Sequence, residues 1–184
     1  PGFRLFLPIL FLILFLASGT SGEAQTVSSV TLIDQPFAFP GEKNKNLIQT
    51  LETYPAYKKA SRLEKELIYW TNYARLFPAQ FRDSALIPFV KSQPDLQNNN
   101  YTKSLIQTLG EIQELPFLTP NLQFAGVAAD HARDIYQNNG KISHNASDGT
   151  SFANRMRKAG ITRCASENIS AGKEDALVAL MLLY

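Results

Sequence analysis

One cysteine, Cys164, stands among 184 residues, so no second thiol exists for an internal disulfide. Whatever fold the chain adopts must be held by burial of apolar side chains. The constraint tightens because the chain reads as exported. Arg4 precedes an apolar run from Leu5 to Ala17, and small and polar residues follow. A basic start, a short apolar centre and a small-residue exit make a secretory signal peptide. Gly22 and Ala24 supply the small residues for a cut after Ala24. The run is shorter than the roughly 20 residues a spanning helix needs, so no stable membrane anchor is expected after cleavage. A retained anchor is the alternative, and no cysteine lies near the cut to carry a bacterial lipid. The first residue is Pro1 rather than Met, which places the true N-terminus upstream. The expectation is a secreted or extracytoplasmic protein whose mature part, from Gln25, is long enough to bury a core without disulfides.

Composition narrows the class further. At 45% hydrophobic and 18% charged, the chain suits one globular domain. Lys+Arg 18 against Asp+Glu 16 leaves a net charge of +2, with no basic block. Nucleic acid is therefore not an expected partner. The predicted organisation is a signal peptide over 1–24, a leader or linker over 25–59 with weak periodicity, and a domain over 60–184.

Helical periodicity marks the domain. Ser61 and Glu64 form a capping box, and Leu63, Leu67, Trp70, Ala74 and Phe77 follow as one apolar stripe until Pro78. Trp70 and Met156 are predicted core residues. The 83–100 segment reads as a loop, and Tyr101 to Leu115 as a short helix weakened by Gly110. Thr119 as N-cap and Pro120 in the first turn open another helix, which Gly140 closes. That helix carries two neighbouring stripes, Leu122, Ala125, Ala129, Ala132, Tyr136 and Phe124, Ala128, His131, Ile135, which predicts deep burial. Asp148 to Lys158 reads as a third helix, with Phe152, Met156 and Ala159 inward and Arg155, Arg157 and Lys158 outward. Ile161 to Ser170 reads as a strand, and Glu174 and Asp175 open a final helix.

The strand poses a chemical question. Its alternation sets Glu167 on one face with Ala165 and Ile169. A carboxylate on an apolar face is costly unless something pairs with it. His144 is the available partner, in a Ser-His-Asn loop just past the helix stop at Gly140. The two can make a general acid/base pair or half a metal site. Alternatively Glu167 is an edge acid facing water and His144 a surface residue. His131, mid-helix between Ala128 and Ile135, reads as a packed residue bonding a carbonyl. Cys164 reads as a buried small apolar side chain.

The stretch from Leu118 to Gly172 resembles the CAP superfamily, or SCP domain, and within it the disulfide-poor bacterial branch. The residues that carry the likeness are Leu122, His131-Ala132, Ser143-His144, Asp148-Gly149, Arg155, Ala159-Gly160 and Glu167-Asn168-Ile169, with a weaker likeness at Leu63–Arg75. The resemblance implies an α/β fold, a three-layer α-β-α sandwich. It makes His144 and Glu167 two of four cavity residues that can hold a divalent metal such as zinc. The second cavity histidine lies in a Gly-His-Arg-like stretch beyond the next helix, so the chain reads as truncated before that position and before the last strands. The long 83–100 segment departs from the family pattern. The expected function is a secreted binding module taking a divalent metal, an apolar ligand or an extracellular partner. The rivals are a metal-assisted hydrolase or protease, with Glu167 as base and His144 as metal ligand, and a cell-surface interaction protein without a working site.

Overall fold

The computed structural model describes residues 9–11, 37–138, 140–171 and 175–183. The proposed signal peptide lies outside them except for Ile9–Phe11, and so do residues 25–36 of the leader. Helix α3, Arg62–Leu76, matches its sequence signals. Ser61 Oγ accepts from the Glu64 amide at 3.3 Å, and the Glu64 carboxylate accepts from the Ser61 amide at 2.7 Å. Leu67, Trp70 and Ala74 of its apolar stripe are buried, while Leu63 and Phe77 flank them half-buried.

Around α3 the chain is more helical than its sequence suggests. Within 25–59, read as leader, α1 (Lys45–Leu51) and α2 (Pro55–Lys59) put Leu47, Leu51 and Tyr57 into the buried cluster. The Asn44 amide donates to the Tyr69 hydroxyl at 2.7 Å, tying α1 to α3, and burial pushes that phenol up to about 12. The 83–100 segment is not a loop. It continues from α4 (Pro78–Phe81) through a wide π turn at Arg82–Leu86 into α5 (Ile87–Ser92) and α6 (Pro94–Gln97). Pro94 sits in the first turn of α6, where a missing N–H costs nothing, and Pro88 follows the π turn within a helical run unbroken from Pro78 to Ser92. Phe81, Ala85, Leu86, Phe89 and Val90 are buried and hold the segment on the core. Next comes α7 (Asn100–Glu111). Residues 112–120 then strap back across α3. Asn72 brackets Leu118 with two hydrogen bonds, at 2.7 and 3.1 Å, and Arg75 donates to the Pro116 carbonyl at 2.9 Å.

That strap delivers the chain to α8 (Leu122–Gln137), α9 (Phe152–Lys158) and the strand β2 (Asn168–Ser170). The N-cap of α8 is Asn121, not Thr119: its side chain accepts from the Gln123 and Phe124 amides. Gly140 does close the helix, at φ +68°, with its amide bonded to Ile135 O. Deep burial of both stripes does not occur. His131, Ala132 and Ile135 are buried, whereas Leu122 and Tyr136 are exposed. The last described helix, α10 (Ala176–Met181), is capped by Asp175 and packs on α3; Glu174 lies outside the described residues.

The expected α-β-α sandwich is not the fold. Helices dominate, and among the described residues strands are limited to β1 (Ile9–Phe11) and β2, paired antiparallel with Leu10 opposite Ile169. Three or more strands sharing an apolar face are needed for a sheet to act as a layer. Here strand alternation is confined to 161–170, of which three residues, Asn168–Ser170, form the strand.

Candidate functional site

Three local devices build the site. Gly140 turns the chain at the end of α8, so that Ser143 and His144 return beside it. Asp134 of α8 accepts from the amide and hydroxyl of Ser147, clamping the 141–150 loop. These hydrogen bonds hold the Asp134 carboxyl below its ordinary value. At the far side, Gly160 (φ +70°) ends α9, and the Ile161 amide closes on Met156 O at 2.9 Å. The extended segment that follows keeps its alternation: Ile161 and Glu167 are buried and Ala165 half-buried, while Thr162, Cys164 and Ser166 are exposed. Arg163 departs from it by facing water, and Cys164 is an exposed free thiol rather than the buried residue expected.

Glu167 is the centre. Its side chain is 2% exposed, and three cationic or imidazole groups surround it. His144 Nδ1 lies 2.9 Å from Oε2. Arg155 Nη2 donates to Oε1 at 2.8 Å and to Oε2 at 2.9 Å, and reaches the His144 carbonyl at 3.1 Å. His131 Nε2 stands 4.0 Å from Oε2, beyond hydrogen-bond reach, and instead meets Ser143 O at 2.9 Å. The sequence reading of Glu167 as inward and paired with His144 therefore matches the geometry, and His131 bonds a carbonyl as expected. Arg155 does not face out: its side chain is 11% exposed and its guanidinium lies over the Phe152 ring at 5.5 Å. The clue was available, because Arg155 follows Phe152 by three residues and precedes Ala159 by four, which puts it on their face.

The hydrogen bonds assign atoms to roles. A carboxylate only accepts, so His144 Nδ1 carries the proton and Nε2 is left over. The His144 side chain is 62% exposed, which leaves Nε2 to solvent or a ligand. Both Glu167 oxygens are engaged, so the carboxylate backs the imidazole rather than reaching past it. A metal would thus find one protein donor here, His144 Nε2, with Glu167 in the outer position that fixes ligand orientation and basicity. Among the described residues no group of three His, Cys, Asp or Glu could hold a metal ion. Arg155 keeps Nε and Nη1, and His131 keeps Nδ1, buried without partners. A separate cleft of about 230 Å³ between Lys43, Tyr57, Arg62 and Tyr69 includes none of these residues. No helix among the described residues is long and apolar enough to cross a membrane.

No family model, curated protein or solved structure matches the chain.

Proposed function

We propose that the chain is an exported binding module, with the His144 imidazole as its working group. The observation that carries this reading is the 2.9 Å contact between His144 Nδ1 and Glu167 Oε2. Spending Nδ1–H on the carboxylate keeps the Nε2 lone pair available. That nitrogen can ligate a divalent cation such as zinc, or accept a proton from the polar end of an otherwise apolar ligand. Bound zinc would supply Lewis acidity at this nitrogen. One imidazole completed by solvent makes a weak site compared with three or four protein ligands. The hydrolase reading needs Glu167 to accept a proton, and Arg155 and His144 already occupy both its oxygens; binding is the better-supported role.

Titration calorimetry with zinc tests it on the purified chain. The expected result is weak binding to the parent protein and none to His144→Ala. Glu167→Gln should bind about 10–100-fold more weakly, because the group behind a ligating histidine tunes its affinity. Equal affinity in all three proteins would overturn the proposal.

A further inference from the structure

We infer that His131 is a positioning residue that sets the orientation and tautomer of His144 through the carbonyl of Ser143. The His144 ring is mostly in water, so side-chain packing does not hold it. Its direction must come from its own backbone and from Glu167. The backbone is fixed on both sides. His131 Nε2 donates to Ser143 O at 2.9 Å, and Arg155 Nη2 donates to His144 O at 3.1 Å. With those two carbonyls pinned, the Cα–Cβ bond of His144 is aimed, and Nδ1 falls on the Glu167 carboxylate.

His131 is suited to the part. Its ring is fully buried on a helix that leaves Leu122 and Tyr136 exposed, and a buried polar ring there is explained by what it bonds. It does not act on Glu167 directly, since 4.0 Å is too long for a hydrogen bond. A carbonyl accepts only, so Nε2 of His131 carries a proton. The chain of contacts is then His131 Nε2–H to Ser143 O, the 143–144 peptide, and His144 Nδ1–H to Glu167. The consequence for binding rests on His144 Nε2 being the ligand contact; the geometric claim stands apart from it.

The experiment reads the tautomer of His144 by nitrogen-15 NMR in metal-free protein. Two isosteric variants are compared, His131→Gln, whose amide nitrogen can still donate to Ser143 O, and His131→Met, which cannot. The expected result is His144 protonated on Nδ1 in the parent and in His131→Gln. In His131→Met it should shift toward the Nε2–H form, with zinc affinity falling about 10–100-fold. An Nε2–H tautomer in the parent overturns the inference, as does an unchanged Nδ1–H tautomer in His131→Met. If His131→Met unfolds while His131→Gln does not, the donor role is supported; if both unfold, it is overturned. Absence of zinc binding in a parent protein with the Nδ1–H tautomer would sink the binding proposal and leave this one standing.

Discussion

Arg155 and Glu167 form the most consequential pair at the scale of single residues. Each is largely withdrawn from water, and each is the other's counter-charge. Replacing both by apolar groups can be neutral, but removing one strands the other in a low-dielectric setting. Arg155→Met is therefore expected to cost about 3–5 kcal/mol in urea unfolding, although methionine fills much of the same space. A loss below about 1 kcal/mol would show that water reaches the carboxylate. The sequence made one half of this pair legible. Strand alternation turned Glu167 inward, and the cost of a bare carboxylate demanded a partner. The other half was obscured because three basic residues, Arg155, Arg157 and Lys158, fall in the last turn of α9, where the helix dipole explains them all equally well. Only the face shared with Phe152 separates Arg155 from the other two.

The clamp between α8 and its following loop belongs to the scale of elements. Asp134 takes two hydrogen bonds from Ser147, chiefly the hydroxyl and then the amide, and these lower its pKa. A carboxyl lowered on folding contributes stability above its unfolded pKa, and that contribution is lost as pH falls through the folded value. The loop carrying His144 should accordingly loosen in acid, below the ordinary aspartate range. Hydrogen exchange at the Ser147 amide should quicken there, and Asp134→Asn should exchange faster already at neutral pH. An amide equally protected in both proteins at neutral pH would refute the clamp. Legibility at this scale depended on termini. Ser61, Gly140 and Gly160 announced themselves because caps and left-handed stops demand particular residues. The 83–100 segment misled because its polar tip, from Gln93 to Asn100, reads as a loop, whereas the buried Ala85, Leu86, Phe89 and Val90 recur at helical spacing.

Taken whole, the molecule separates its core from its site. The buried cluster draws on α1, α2, α3, α4, the π turn, α5, α7 and α10, and on nothing in α8, α9 or β2. Trp70 sits in that cluster, with Phe39 and Tyr69 rings both 4.8 Å away. Trp70→Ala should cost about 3–5 kcal/mol in unfolding followed by helical circular dichroism. In the folded fraction the His144 tautomer should not change; a changed tautomer would show that core and site are one unit. Of the helical core, α3, α7 and α10 were legible from 3.6-residue spacing or capping, whereas α1, α2 and α5 fell in segments read as leader and loop. The sandwich inferred from family likeness failed because a likeness in loop and site motifs does not supply strands. The position of α10 has a kinetic corollary. All six of its residues are buried, and α3, which it covers, lies far upstream. A growing chain displays α3 long before α10 is made, and contacts between distant segments form slowly. A chain wired in this order keeps the apolar face of α3 uncovered through most of its synthesis, and that face closes only when the late helix arrives.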